Sequence, residues 1–160
     1  MPSRTRSRVL CVDDDQDACE MLSVLLNAYE IDAICAPAAA EAWLKIKAER
    51  FDLYLLDAWL PGLDGFEFCR QIRETDSNTP IVFYSGAAYD ADKLKGIAAG
   101  ANAYVTKPNV EGLVKTMLDL MATANANAHD VVVARWFVNP IRPAKKSFSA
   151  RFLSVETVLD

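Results

Sequence analysis

Histidine is almost missing from this 160-residue chain, the one imidazole being His129. None of its four cysteines, Cys11, Cys19, Cys35 and Cys69, stands in a C-x-x-C pair. A zinc centre needs a clustered set of such ligands, so the two absences together exclude one. The cysteines are also too few for a disulfide scaffold, and each sits in an apolar segment. They are expected to be buried, reduced thiols. No apolar run approaches the roughly 18 residues of a membrane helix, which excludes a span of that kind. No apolar stretch of signal-peptide length separates Met1 from the acids at Asp13, so no secretory leader is expected and the chain reads as cytoplasmic. Glycine and proline, at 6 and 7, are too scarce for a collagen-like chain, and 52% hydrophobic residues exclude a wholly disordered one.

What is present in excess is acid. The net charge is −5, and it is unevenly placed. Residues 1–128 hold 12 Lys plus Arg against 19 Asp plus Glu, a balance of −7, whereas residues 129–160 hold 5 against 3, a balance of +2. An acidic globular body with a chemically different C-terminal segment is implied. Such a body is a poor non-specific ligand for nucleic acid.

Short apolar runs alternate with segments of helical period. Strands are expected at 9–12, 31–36, 53–56, 80–84 and 103–106. Helices are expected at 16–28, 37–50, 66–75, 90–99 and 110–122. The first helix has Ala18, Met21, Leu22, Leu25, Leu26 and Tyr29 along one face. Five βα units in this length require a parallel sheet, and continuously apolar strands require cover on both sides. The predicted architecture is an α/β, doubly wound, five-stranded sheet of order 2-1-3-4-5, a flavodoxin-like three-layer sandwich. Ligands bind such sheets outside the C-terminal ends of the strands, where strands one and three part.

The residues at those ends are chemically coherent. Strand one runs into Asp13-Asp14-Asp15, strand three into Asp57, strand four into Ser85, and strand five into Lys107-Pro108. Taken singly, each has an ordinary reading. The acids suit a solvated turn or a helix cap, a role expected of Asp15, and Ser85-Gly86 and Lys107-Pro108 suit turns. Taken together, they converge carboxylates, a hydroxyl and an ammonium on one edge. Converging carboxylates call for a cation, and Mg²⁺ is held by carboxylates of this kind. Mg²⁺, a lysine and a hydroxyl suit a phosphoryl group, and a carboxylate can itself be the nucleophile that forms an acyl phosphate.

At these motifs the chain resembles the receiver domain of two-component response regulators. The matching residues are Val12 to Asp15, Asp57 within Leu-Leu-Asp-Ala-Trp-Leu-Pro-Gly-Leu-Asp-Gly-Phe-Glu, Ser85, Ala99 to Tyr104, and Lys107-Pro108. The resemblance implies a chemotaxis-regulator-like receiver over 7–124. Asp57 would be the phosphoacceptor, and Asp13, Asp14, Asp57 and the backbone carbonyl of Trp59 would hold Mg²⁺. Ser85 and Lys107 would meet the phosphoryl group, and Ser85 with Tyr104 would form the switch. A cis Lys107-Pro108 bond is implied as well. The partners implied are a histidine kinase or phosphotransfer protein, and a downstream protein on the face of helix four, strand five and helix five, with a homodimer as a further option. Chemistry would be limited to self-phosphorylation and slow autodephosphorylation, with no organic cofactor.

Three positions depart from the family pattern. Trp59 is bulky, with a ring that could shield the acyl phosphate, and Gly86 and Asn109 replace the more usual alanine and apolar residue. A haloacid-dehalogenase-type phosphohydrolase would need an acid two residues after the nucleophile, where this chain has Trp59. A phosphorylation-independent adaptor would not need the complete acid set with Ser85 and Lys107. Residues 125–160 are expected to be an extension, partly disordered or docking, without a complete effector domain. Within it, 131–138 is strand-like, and Phe148, Phe152, Val155 and Leu159 form one helical stripe beside Arg142, Lys145, Lys146 and Arg151.

Overall fold

The computed structural model describes residues 6–126. Strands and helices alternate strictly: β1 (Ser7–Val12), α1 (Gln16–Asn27), β2 (Ile31–Ala36), α2 (Ala39–Ala48), β3 (Leu53–Leu56), α3 (Gly65–Thr75), β4 (Ile81–Ser85), α4 (Asp90–Ala98), β5 (Ala103–Thr106) and α5 (Val110–Ala126). The strands form one parallel sheet of order β2-β1-β3-β4-β5, as expected.

Alternation along the strands separates two cores, because successive side chains point to opposite faces. Leu10, Val12, Tyr54, Leu56, Phe83 and Tyr104 face one side, where Ala42 of α2 and Phe68 and Ile72 of α3 cover them. Val9, Cys11, Leu53, Leu55, Val82 and Val105 face the other, under Leu22 and Leu26 of α1 and Leu113 and Met117 of α5. The result is a three-layer α/β/α sandwich.

Register sets the site. Val12 pairs with both Ala36 and Leu56, so β1 and β3 end level with each other. The next residues, Asp13 and Asp57, are fixed by backbone bonds, Asp13 N–H to Ala36 O at 3.2 Å and Asp57 N–H to Val12 O at 2.9 Å. β4 and β5 end one step further on, with Ser85 opposite Thr106.

Several expectations need correction. The buried stripe of α1 is Cys19, Leu22 and Leu26, not the full predicted face. Met21 and Tyr29 are 44% and 48% exposed, because only one narrow side of α1 meets the sheet. α2 is shorter than expected and starts after Pro37, at an Ala38 cap with no side-chain hydrogen bond. α5 continues past 122 to Ala126.

The cysteines also divide. Cys11 and Cys69 are free and buried, and burial pushes their thiols up to about 12 and about 11. Cys19 and Cys35, expected to be reduced thiols, are instead joined in a disulfide, with Cα atoms 6.2 Å apart. The reason is tertiary: Cys19 lies on the inward stripe of α1, which packs against β2, where Cys35 sits. The strand-like 131–138, the stripe of Phe148, Phe152, Val155 and Leu159, and the basic residues beside it lie outside the described residues.

Candidate phosphoryl and metal site

The three acids after β1 hold three different positions. Asp15 caps α1, its Oδ1 accepting from the N–H groups of Asp17 and Ala18 at 3.0 and 3.2 Å, as expected of an N-cap. Asp13 is buried, at 6% exposure, and its Oδ1 accepts the N–H of Asp15 at 2.9 Å in a tight Asx-type turn. Asp14 is exposed. Carboxylate oxygens of Asp13, Asp14 and Asp57 all lie within 4.8 Å of one another. A cluster of hard oxygen donors at that spacing fits a divalent cation such as Mg²⁺.

Asp57 is the hub. Its Oδ1 accepts from Ser85 Oγ at 2.6 Å and from the Trp59 N–H at 3.3 Å. Its Oδ2 faces Lys107 Nζ at 3.2 Å, and the same ammonium reaches Asp13 Oδ2 at 2.7 Å. Burial alone would lower the Lys107 pKa. The hydrogen bond to Asp13 and the charges of Asp57 and Asp13 outweigh it and hold the pKa above its usual value, so the group stays cationic. Lys107 is aimed by the turn after β5, where the Lys107-Pro108 peptide is cis, and it lies 5.7 Å from the centre of the Tyr84 ring.

Tyr104 is turned inward. Its ring is 2% exposed and stacks on Phe83 with centroids 5.5 Å apart, and its hydroxyl donates to Ala87 O at 2.7 Å. Burial pushes the phenol up to about 12. Ser85 Oγ in turn accepts from the Ala87 N–H at 3.3 Å. The β4–α4 loop therefore links Tyr104 to Asp57 through Ala87 and Ser85.

Asp13, Asp14, Asp57, Ser85 and Lys107 thus gather around one strand edge, with Tyr104 one link away through Ala87. Of the two readings open for Trp59, a shield or an exposed aromatic, the structure shows the exposed one. Its indole is 66% exposed, which gives it no packed role over Asp57. Asn109 has a positive role where an apolar residue was the norm: its Oδ1 accepts the Gly112 N–H at 2.9 Å at the start of α5.

Two supporting residues escaped sequence reasoning. A Cβ at Gly65 would run into the carbonyl oxygen of Asp57, so only glycine fits there. The Asp64-Gly65 pair signals a turn but not that contact. Gly96 of α4 would bring a Cβ to 2.8 Å from Tyr104 Cδ2 and 3.0 Å from Phe83 Cδ2. Its signal, an isolated glycine inside a helical segment, was visible without its meaning.

Comparison with known proteins bears on the family and the fold. Residues 9–119 match the family model of the response regulator receiver domain. The chain is 38% identical over 103 residues to the DNA-binding response regulator MtrA of Mycolicibacterium smegmatis, covering 64% of this chain and 45% of that protein. It is 30% identical over 152 residues to the alkaline phosphatase synthesis transcriptional regulatory protein PhoP of Bacillus subtilis, covering 91% of this chain and 63% of PhoP. The chain therefore spans less than two thirds of either relative. Among solved structures, a putative response regulator from Chloroflexus aurantiacus superposes with a TM-score of 0.71 at 30% identity, covering 74% of this chain and 99% of that one.

Proposed function

The chain belongs to the response regulator receiver domain family, and we propose that Asp57 is its phosphoacceptor, loaded by a histidine kinase, a phosphotransfer protein or a small acyl phosphate. The observation that carries this reading is the hub at Asp57: its carboxylate meets two other carboxylates, one ammonium and one hydroxyl in a single cluster. Asp13, Asp14, Asp57 and the backbone carbonyl of Trp59 would hold Mg²⁺, which neutralises phosphoryl oxygens when bound. A carboxylate oxygen of Asp57 forms the new bond to phosphorus while the bond to the donor's imidazole nitrogen, or acyl oxygen, breaks. Lys107 supplies a second positive charge, and the Ser85 hydroxyl donates to a phosphoryl oxygen in place of the Asp57 oxygen it now holds.

The charge added at Asp57 biases a two-state element made of Ser85, the β4–α4 loop and Tyr104. The readout face is α4, β5 and α5, where Tyr89, Leu94 and Leu118 are exposed apolar residues beside the switch. Output through protein contact, including a homodimer, suits the acidic balance of residues 1–128. DNA binding, which the name of MtrA gives to that protein, is not proposed for this part of the chain. The protein is not a turnover enzyme on this reading, since the second acid of a phosphohydrolase is replaced by Trp59. A cytosolic location follows from its proposed partners. Among the described residues no helix is long and apolar enough to cross a membrane.

Acetyl phosphate with Mg²⁺ should give the full chain one retarded band on a phosphate-affinity gel, absent in Asp57→Asn and absent with EDTA. A retarded Asp57→Asn band would overturn the assignment. Wild type that neither binds Mg²⁺ nor shifts would favour a phosphorylation-independent adaptor.

A further inference from the structure

We propose that Cys19 and Cys35 form a reversible dithiol–disulfide site, and that its oxidation state sets how firmly the Asp13–Asp15 turn is held. The four cysteines divide sharply. Cys11 and Cys69 are free and sealed in the two cores, out of reach of a thiol or disulfide in solution. Cys35 lies on the edge strand β2 and is the least buried of the four cysteines, which makes its sulfur the one assigned to meet a small thiol or disulfide first. Cys19 is buried directly behind it and serves as the resolving partner. In the cytosol, where the proposed function puts this chain, a disulfide is more often transient and redox-sensing than structural.

The pair is also wired to the acidic turn from both sides. The Cys19 N–H donates to Asp15 O at 3.1 Å, in the first turn of α1. Ala36, next in chain to Cys35, accepts the Asp13 N–H through its carbonyl at 3.2 Å. Residues 13–15 thus hang between two anchors, and the Cys19–Cys35 bond ties those anchors together. Breaking it leaves α1 held to β2 at this point by packing and by the long contacts of Cys35 Sγ with Ser23 Oγ and Cys19 O, at 3.8 and 3.7 Å. Cys19 is linked to Asp15, and Ala36 to Asp13, by one backbone hydrogen bond each, and loosening of the turn on reduction is transmitted through these two links. The consequence for Mg²⁺ rests on the reading of Asp13 and Asp14 as its ligands.

The chemistry balances with a small disulfide such as oxidised glutathione as the oxidant. The Cys35 thiolate attacks one sulfur of that disulfide, forming a mixed disulfide and expelling one small thiolate. The Cys19 thiolate then attacks Cys35 Sγ and expels the second. The protein loses two electrons and two protons, and the oxidant leaves as two thiols. A dithiol reductant reverses both steps.

The test compares oxidised and reduced forms of the full chain, so that no substitution is needed to see the effect. After glutathione redox equilibration, acid quenching and denaturation, iodoacetamide should label two cysteines, Cys11 and Cys69, in the oxidised form and all four in the reduced form. Native labelling of the reduced form should strike Cys35 first. Amide exchange of residues 13–20, measured without Mg²⁺, should be about fivefold faster in the reduced form, and the melting temperature about 10 °C lower. A Cys19→Ala/Cys35→Ala chain should match the reduced form with or without oxidant.

Four labels at every glutathione ratio, or two labels that no dithiol reductant can raise to four, would overturn the reversible site. Equal exchange of 13–20 in both forms would overturn the coupling. Mg²⁺ titration of both forms should give weaker binding when reduced, whereas equal affinities would confine the coupling to the backbone and overturn its reach to the carboxylates. If neither form binds Mg²⁺, the metal reading fails, and the labelling and exchange results still decide the staple.

Discussion

Lys107 stands where two needs conflict. Its ammonium neutralises Asp13 and Asp57 at 2.7 and 3.2 Å, and a metal ion held by the proposed ligands would compete with it for those carboxylates. Replacing it with an isosteric neutral residue separates the two roles. Lys107→Met should bind Mg²⁺ more tightly, by about tenfold, because a competing charge a few ångströms away is gone. It should also phosphorylate from acetyl phosphate about 100-fold more slowly, because the proposed mechanism then lacks one of its two positive points at the phosphoryl group. Without metal it should lose about 2–3 kcal/mol of stability, since Asp13 is left buried without its partner. Calorimetric Mg²⁺ titration, a phosphorylation time course and urea unfolding read the three effects. Weaker Mg²⁺ binding in Lys107→Met would show that the lysine organises the carboxylates instead of competing with metal for them.

At the scale of elements, α4 is the piece whose packing would carry the proposed switch. Gly96 lets the helix close onto the Phe83 and Tyr104 rings, at distances where a Cβ would force the rings to move. Alanine in an open helix position gains about 1 kcal/mol over glycine. Here Gly96→Ala should instead cost about 1–2 kcal/mol net, because the core on that side is already filled. The ring that a Cβ would press hardest is Tyr104, at 2.8 Å against 3.0 Å for Phe83, and its displacement would disturb the hydroxyl bond to Ala87 O. In Gly96→Ala the Tyr104 phenol should titrate nearer its ordinary 10 than about 12, readable at 295 nm against a Tyr104→Phe control. An unchanged tyrosine titration would place the yielding elsewhere in α4.

The same element shows what a sequence displays and what it hides. Strand ends were legible because apolar runs stop at Asp13, Asp57, Ser85 and Lys107, and parallel topology brings such stops to one edge. Tyr104 and the cis form of the Lys107-Pro108 bond were legible through the family resemblance. Gly96 against Tyr104, Gly65 against Asp57 and Cys19 against Cys35 are contacts between elements whose facing angles no periodicity fixes. The narrowing of the buried side of α1 to Cys19, Leu22 and Leu26 has the same cause.

For the whole molecule, burial has shifted the titratable groups of the two cores in one direction. Burial raises Cys11 to about 12, Cys69 to about 11, and Tyr54 and Tyr104 to about 12, and it raises Tyr84 as well. In the unfolded chain these groups titrate near 8.5 and 10. The folded state therefore holds protons that the unfolded state has already released, and stability falls as pH rises. The sign is the same for Lys107, whose raised pKa favours the folded state until it too deprotonates. Growing net negative charge adds repulsion on top of −5.

On the acid side, burial opposes the charge of Asp76, but hydrogen bonds from Thr79, Asn78 and Tyr54 outweigh it and lower its pKa. Its contribution is complete above the unfolded value near 3.9 and is lost as pH falls through the folded value. Urea midpoints should therefore form a plateau from about pH 5 to about pH 8.5, then decline steadily to pH 11 as the core thiols and phenols release protons in the unfolded state first. Tyr54→Phe should flatten the part of that decline above about pH 10. A midpoint that stays level from pH 8.5 to 11, under reducing conditions that keep Cys11 and Cys69 free, would mean that these thiols and phenols are solvated in the folded protein and that the two cores are looser than their packing indicates.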